Sequence, residues 1–266
     1  MLTPEPPNAA VRLRNVSFRY PNTPAPVLEG LDVALPLGHI TAIVGPSGCG
    51  KTTLLHLIAS LLDPTEGTVE YVGAESPRIG YVFQTPALLP WYTVEQNLQL
   101  AASLVDRSEP GRRSWGTARE WIQSTGLAGS EHLYPAQLSQ GMCQRAAIGM
   151  TMLGSPDLLL LDEPFGALDA LTREFMDLLL IEGWKERRAT GVMVTHDIEE
   201  AVFVATRVLL LSSPPARVVG DWPVDLPAPR HPVETKGCQA FGELVRSIRH
   251  VLYDEPALAV SERTKQ

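Results

Sequence analysis

Residues Gly45 to Thr52 read Gly-Pro-Ser-Gly-Cys-Gly-Lys-Thr, which is the pattern G-x-x-x-x-G-K-[ST] of a phosphate-binding loop. The apolar run 40–44 comes directly before this stretch and predicts a buried strand, and residues 51–59 continue as a predicted helix. A phosphate-binding loop needs a strand before it and a helix after it, so the context supports the motif. The sequence therefore predicts an α/β domain that binds a nucleoside triphosphate.

Each residue type in this loop has a physical task. Glycines let the backbone curl, so that successive N–H groups and the helix N-terminus point at the phosphates. We expect Lys51 to neutralise the β and γ oxygens and Thr52 to reach Mg²⁺. The predicted nucleotide-binding residues here are Gly45, Pro46, Ser47, Gly48, Cys49, Gly50, Lys51, Thr52 and Thr53. The alternative interpretation is an ordinary glycine-rich turn.

Composition narrows the class of protein. A chain of 266 residues with 44% hydrophobic and 20% charged residues can form one large α/β domain, or one domain with a small appendage. The net charge of −8 offers no basic face, which argues against a nucleic acid as partner. The three cysteines, Cys49, Cys143 and Cys238, cannot pair completely and have no metal-ligand spacing, which favours a reducing compartment.

Hydropathy bears on location. No stretch of the chain approaches the roughly 18 apolar residues that a membrane span needs. The proline-rich opening 1–8 also lacks the charged-then-apolar order of a signal peptide. We therefore expect the chain to stay in the cytosol, or to lie against a membrane without crossing it.

A second stretch carries candidate chemistry. Leu158 to Glu163 reads as four leucines followed by Asp162 and Glu163, as expected of a buried strand that delivers carboxylates to a site at its C-terminal end. Asp162 is expected to hold Mg²⁺ through water. Glu163 is the candidate for polarising the attacking water, because in-line hydrolysis needs an acceptor beside the γ-phosphate. The alternative is a plain strand followed by a turn.

The segment Leu138 to Arg145 reads Leu-Ser-Gln-Gly-Met-Cys-Gln-Arg and resembles the signature L-S-G-G-Q-x-Q-R of ABC-type ATPases. It departs from that pattern at Gln140, which replaces the first glycine, and at Met142, which replaces the glutamine. Other elements of the family follow in the expected order. They are Tyr20 for adenine stacking, Gln84 in the loop between subdomains, Ala167-Leu168-Asp169 as the dimer-contact loop, and His196 as the switch histidine.

This resemblance implies a fold and a mode of action. The implied fold is a P-loop NTPase core of ABC type, α/β, with an N-terminal antiparallel β part and an inserted α-helical subdomain. The implied organisation is a flexible segment 1–10, an ATPase domain 11–213 with its helical subdomain at about 86–156, and a proline-rich extension 214–266 with one helix. The implied cofactors are ATP and Mg²⁺, with Thr52, Gln84 and Asp162 as the metal set.

The resemblance also implies a head-to-tail homodimer. Ser139 opens a helix that it can cap, and the N–H groups there would face the γ-phosphate held by the other copy. Each ATP site would combine Lys51, Thr52, Gln84, Asp162, Glu163 and His196 of one copy with Ser139 and Gly141 of its mate. The implied catalytic residues are Glu163, His196, Gln84 and Lys51.

Two further stretches resemble one branch of the family, the importers of nitrate, sulfonates, taurine and related compounds. They are residues 88–98, similar to L-L-P-W-x-T-V-x-x-N-V, and residues 216–230, similar to R-V-V…V-D-L-P-x-P-R. The branch implies a peripheral position on the cytoplasmic face of the cell membrane. It also implies a permease subunit bound through the region Gln84–Leu98 and, indirectly, a substrate-binding protein. Of Leu88, Leu89, Trp91 and Tyr92, we expect two to pack inside.

Three alternatives compete with this interpretation. An exporter ATPase would leave the tail segment 224–230 unexplained. A non-transport ABC ATPase predicts coiled-coil insertions, tandem cassettes or a basic face, and the sequence contains none of these. A small-molecule kinase with a phosphate loop would explain Gly45–Thr52 but would leave the matches at Ser139–Arg145 and His196 as coincidence.

Overall fold

The computed structural model describes residues 8–73, 76–105, 116–187 and 189–254. Its strands are β1 Ala9–Phe18, β2 Leu28–Pro36, β3 Ile40–Val44, β4 Glu66–Tyr71, β5 Ile79–Val82, β6 Leu158–Asp162, β7 Thr190–Val194, β8 Arg207–Leu211 and β9 Val218–Pro223. Its α-helices are α1 Lys51–Ile58, α2 Val94–Ser103, α3 Ala118–Ser124, α4 Gln140–Leu153, α5 Ala170–Arg187, α6 Ile198–Val204, α7 Pro232–Gly237 and α8 Gln239–Asp254.

The chain divides into two compact units. The first, called here the core unit, consists of Met1–Ser76 and Thr190–Gln266, and the second, the inserted unit, consists of Pro77–Ala189. The inserted unit thus interrupts the core unit in sequence. Each is described by itself.

Two groups of strands form the core unit. The order β2-β1-β4 is antiparallel throughout, with Val11 opposite Leu35 on one side and Tyr71 on the other. In the second group, β3 lies between β7 and β8 and runs parallel to both, while β9 is antiparallel to β8. All five residues of β3 are buried, which matches the continuous apolar run that a covered parallel strand requires.

The inserted unit contains the parallel pair β5 and β6 together with helices α2 to α5. Two of these helices begin with a capping box, in which Thr93 pairs with Gln96 and Thr117 pairs with Glu120. The indole of Trp121 on α3 donates a hydrogen bond to the carbonyl oxygen of Arg145 on α4, at 3.0 Å. The helical subdomain expected at about 86–156 therefore contains separate capped helices, α2, α3 and α4, that pack on one another.

Several boundaries differ from the sequence predictions. β1 begins at Ala9, inside the segment 1–10 that was expected to be flexible, and residues 1–7 lie outside the described residues. The extension from residue 214 contains β9 and α7 in addition to the one predicted helix, which is α8. β9 was not predicted from the sequence, because Val-Val-Gly-Asp-Trp-Pro has weak strand propensity. It forms by pairing with the exposed edge of β8.

No helix within the described ranges is long and apolar enough to cross a membrane.

Candidate active site

The phosphate loop follows β3 and leads into α1, as predicted. Gly50 is the residue that turns the chain into the helix, with a left-handed backbone at φ 103°. A Cβ atom at this position would lie 2.7 Å from Cγ1 of Val27 and 2.9 Å from Cδ2 of Leu28. Both the backbone conformation and the close approach therefore require glycine here.

Lys51 is folded back over this loop. Its ammonium donates hydrogen bonds to the carbonyl oxygens of Gly45 and Pro46, each at 2.9 Å, and only 7% of the residue is exposed. The amide of Cys49 also donates to the carbonyl oxygen of Pro46, at 3.3 Å. The positive charge is thus held against the loop whose residue pattern predicts phosphate binding.

Cys49 is completely buried inside the loop. Burial raises the pKa of its thiol above the ordinary value, and the neighbouring Lys51 charge opposes this only in part. The thiol is therefore a poor nucleophile, and the side chain serves as a compact filler between two glycines.

Tyr20 lies beside the first turn of α1. Its hydroxyl shares a hydrogen bond with the hydroxyl of Thr53 at 3.1 Å, and its ring meets that of Phe18 edge to face at 4.9 Å between centroids. The residue is 39% exposed, so part of an aromatic surface next to the phosphate loop faces solvent. That surface is available for stacking.

His196 leaves the sheet at the same edge as the phosphate loop. It follows β7, which runs parallel to β3 with Ile43 opposite Val194, and the amide of Thr195 donates to the carbonyl oxygen of Ile43 at 3.3 Å. His196 is exposed, and the next residue, Asp197, caps α6 by accepting from the amides of Glu199 and Glu200. The core unit thus brings the predicted loop, Tyr20 and His196 to one edge.

The inserted unit brings Gln84 and Glu163 together. Because β5 and β6 are parallel, with Val82 opposite Leu161, the residues that follow each strand meet at one edge. Nε2 of Gln84 donates to Oε2 of Glu163 at 3.3 Å. Glu163 adopts a left-handed backbone at φ 46°, a conformation that is uncommon for non-glycine residues.

Asp162 precedes Glu163 and is only 4% exposed. Burial raises the pKa of the Tyr81 hydroxyl, and the nearby Asp162 carboxylate raises it further. Tyr81 therefore stays neutral over the whole physiological range, and negative charge at this edge comes from the two carboxylates.

The predicted signature segment forms the start of α4. Oγ of Ser139 accepts a hydrogen bond from the amide of Met142 at 3.3 Å, which makes Ser139 the N-cap. The cap uses the backbone of residue 142, so the replacements Gln140 and Met142 leave it intact. A Cβ atom on Gly141 would lie 3.4 Å from Cδ2 of Leu168, which shows that the helix start packs against the predicted loop 167–169.

Comparison with known proteins agrees with this geometry. The family model of the ABC transporter matches residues 28–166, a range that contains the phosphate loop, Gln84, the signature segment and the Asp162-Glu163 pair. The chain belongs to the ABC transporter family. It is an ATP-binding cassette ATPase of that family, and the predicted fold is confirmed.

This ABC cassette is similar to three known proteins whose names or bound ligands are informative. It is 41% identical to the aliphatic sulfonates import ATP-binding protein SsuB of Bacillus licheniformis, over 83% of this chain and 86% of the relative. It is 45% identical to the taurine import ATP-binding protein TauB of Yersinia pestis bv. Antiqua (strain Antiqua), over 73% and 77% respectively. A solved dimeric ATP-binding cassette in a post-hydrolysis state, bound to ADP and phosphate, aligns with a TM-score of 0.70 and 30% identity over 81% of this chain and 99% of that one.

The sequence did not assign a role to Asn97, which organises a loop of this ABC cassette. Asn97 lies on α2 and is fully buried. Its Oδ1 accepts from the amide of Leu89 at 2.8 Å, and its Nδ2 donates to the carbonyl oxygens of Leu89, Tyr92 and Thr93. The available signal was its position among Val94, Leu98 and Ala101 on the apolar face of the helix, where an uncharged amide needs internal partners.

This loop, residues 85–93, presents Trp91 to solvent. Trp91 is 67% exposed, whereas Leu88, Leu89 and Tyr92 are half-buried. The expectation that two of the four apolar side chains would pack inside is therefore too simple, since three are partly covered and one projects outward. The loop that carries this exposed indole is held by the four hydrogen bonds of Asn97.

Proposed function

We propose that the chain is the ATP-hydrolysing subunit of an importer for small organic anions of the sulfonate and taurine type. The proposed role in ATP hydrolysis rests on the hydrogen bond between Gln84 and Glu163. Glu163 directly follows β6, and its backbone is left-handed. The names of the two curated relatives support the import part, since they are aliphatic sulfonate and taurine import proteins.

In this proposal ATP is held mainly by the core unit. The backbone N–H groups of the phosphate loop and the N-terminus of α1 receive the phosphates. Lys51 exchanges its two carbonyl partners for β and γ oxygens. Tyr20 stacks on the adenine with its exposed ring, and His196 contacts the γ-phosphate from the same sheet edge.

Glu163 and Gln84 act on the water that attacks the γ-phosphate. Glu163 accepts a hydrogen bond from this water and orients it for in-line attack. Gln84 holds the carboxylate through its amide nitrogen, which leaves its amide oxygen as a ligand or acceptor. Ser139 and Gly141 face the γ-phosphate bound to a second copy, and the exposed Ser139 cap at the start of α4 fits that role.

The residues assigned to Mg²⁺ fit a hard cation. The Thr52 hydroxyl, the Gln84 amide oxygen and the Asp162 carboxylate are all oxygen donors, the type that Mg²⁺ prefers. Thr52 and Gln84 would supply two neutral oxygens and Asp162 would act through water, so phosphate oxygens and water would fill the remaining octahedral positions. When bound, the ion polarises the phosphoryl oxygens and stabilises the charge that develops on them.

The assembly follows from the same proposal. The chain acts as a head-to-tail homodimer, in line with the dimeric cassette to which it is similar. It sits peripherally on the cytoplasmic face of the membrane. There the loop with Trp91, within the region Gln84–Leu98, receives a helix of the permease subunit, and a substrate-binding protein delivers the anion to the permease.

The decisive experiment compares the wild-type chain with Glu163→Gln. We expect the substitution to lower the rate of ATP hydrolysis by about a hundredfold or more, because positioned general-base groups contribute on that scale. Size-exclusion chromatography with ATP and Mg²⁺ should then show an accumulated dimer. Glu182→Gln, an exposed glutamate on α5, is the matched control and should keep the wild-type rate. Full activity in Glu163→Gln would refute the assignment.

A further inference from the structure

The extension after β8 carries a pocket that ATP hydrolysis does not use. It has a volume of about 470 Å³ and lies among α6, α7 and α8 of the core unit. A volume of this size is within the range of pockets that hold small organic ligands, roughly 300 to 1,000 Å³. The sequence assigned no role to this region.

Three basic side chains line the pocket. Arg246 and Arg249 are on α8 and Lys236 is in the last turn of α7, while the one acidic lining residue is Glu199. This concentration of positive charge stands out in a chain whose net charge is −8. An oxyanion at this position would meet an excess of positive charge.

The two arginines differ in what they already contact. Arg249 donates to Oε1 of Glu199 at 3.0 Å, and both side chains are about half exposed. Arg246 makes no hydrogen bond or ion pair with any of the described residues. Its planar guanidinium is therefore available for a forked contact with a sulfonate or carboxylate group.

The pocket has a charged side and an apolar side, formed by Lys236 and by two apolar residues of α8 respectively. The Lys236 ammonium lies 5.1 Å from the centroid of the Phe203 ring, a cation–π contact that fixes it at one side. Phe241 and Val245, one turn apart on α8, are 4% and 5% exposed and form an apolar wall. Between them in sequence, Gly242 has open space where a Cβ atom would be.

We propose that this pocket binds a small organic anion, with an oxyanion head against Arg246, Arg249 and Lys236 and a short apolar body against Phe241 and Val245. Inorganic sulfate fills only the charged part and binds more weakly. The bound head group competes with Glu199 for Arg249 and so acts on the first turn of α6.

The test is isothermal titration calorimetry of the full chain, without nucleotide, against methanesulfonate, 1-propanesulfonate and 1-pentanesulfonate, with sodium sulfate for comparison. We expect one site whose affinity rises with chain length, by up to about fourfold per added methylene. Because no ATP is present, the result does not depend on the proposed ATPase role.

Two variants locate the site. Arg246→Gln should weaken binding of 1-pentanesulfonate about tenfold, the usual effect of losing a charged hydrogen-bond partner. Gly242→Leu should abolish binding, because its Cβ meets no atom within 4 Å and its side chain would occupy space beside the pocket. Arg119→Gln removes an exposed arginine on α3 and should bind as wild type does.

Melting temperatures show whether each variant is folded. Absence of binding to the wild-type chain, or equal binding by wild type and folded Gly242→Leu, would overturn the proposal. Equal affinity for sulfate and 1-pentanesulfonate would overturn the role of the apolar wall.

Discussion

The phosphate loop 45–52 and the Trp91 loop 85–93 are both held in a defined conformation, but different residues stabilise them. The phosphate loop depends on residues within the loop itself, where Gly50 takes a conformation that other residues avoid and Lys51 bonds to two loop carbonyls. The Trp91 loop depends on one side chain outside it, since Asn97 on α2 makes four hydrogen bonds to its backbone. A self-contained loop leaves a short sequence motif, and an externally supported loop does not.

Gly50→Ala is expected to damage the phosphate loop more than any other substitution considered below. The added methyl group collides with Val27 and Leu28 and forces alanine into a left-handed conformation. We expect a loss of about 3 kcal/mol in the free energy of unfolding, together with loss of ATP binding by more than about a hundredfold. Urea denaturation and fluorescence titration with a labelled ATP measure the two effects.

Gly48→Ala is the matched control for that prediction. Like Gly50, Gly48 has a positive φ, here 74°, but a methyl group added at Gly48 would meet no atom within 4 Å. Only the backbone strain remains, about 1 kcal/mol. Equal destabilisation by the two substitutions would show that crowding against Val27 and Leu28 does not matter.

Asn97→Ala tests the external support of the Trp91 loop. The substitution removes the hydrogen-bond partner of the half-buried amide of Leu89 and carbonyl oxygen of Tyr92, so we expect a loss of about 1 to 2 kcal/mol in the free energy of unfolding. ATP affinity should remain within about twofold of wild type, because the side-chain hydrogen bonds of Asn97 all go to residues 89–93 and none goes to the phosphate loop.

The control on the same helix is Gln99→Ala, which removes only an exposed hydrogen bond to Glu95. Its stability should stay within about 0.5 kcal/mol of wild type. A large fall in ATP affinity in Asn97→Ala would contradict the separation of the two loops.

Trp91→Ala should have the smallest effect on the isolated chain. It tests whether the exposed indole matters for transport although it contributes little to the stability of the fold. Because the indole is 67% exposed, we expect the free energy of unfolding to change by no more than about 0.5 kcal/mol. If the proposed permease contact includes this loop, uptake of the proposed sulfonate substrate by the complete transporter should fall strongly, because the contact would lose its aromatic anchor. Leu104→Ala, another exposed apolar residue, should leave uptake unchanged. Normal uptake with Trp91→Ala would remove the loop from the permease interface.

The parts of the site that were predictable are those in which local chemistry and backbone geometry coincide. The phosphate loop could be located because its glycines, Lys51 and Thr52 sit at fixed spacing between a strand and a helix. The Ser139 cap was predictable for the same reason, since a cap needs only the next three residues.

Other features were beyond the sequence because they depend on partners distant in the chain. The Gln84–Glu163 hydrogen bond joins residues separated by 79 positions, and it exists because β5 and β6 pair in parallel. β9 forms on the edge of β8 in spite of its weak propensity. The pocket arises where α6, α7 and α8 meet, and none of these helices carries a motif for it.

The amino-acid sequence alone was enough to predict nucleoside triphosphate binding and to nominate Glu163 for the attacking water, because glycine spacing and an apolar run ending in Asp162 and Glu163 are local properties. The folded chain was needed to show what Asn97 supports, which apolar side chain projects from the loop, and where basic residues from two helices converge. Those features depend on packing between segments far apart in the chain, and hydrophobic patterning constrains such packing without specifying which side chains meet.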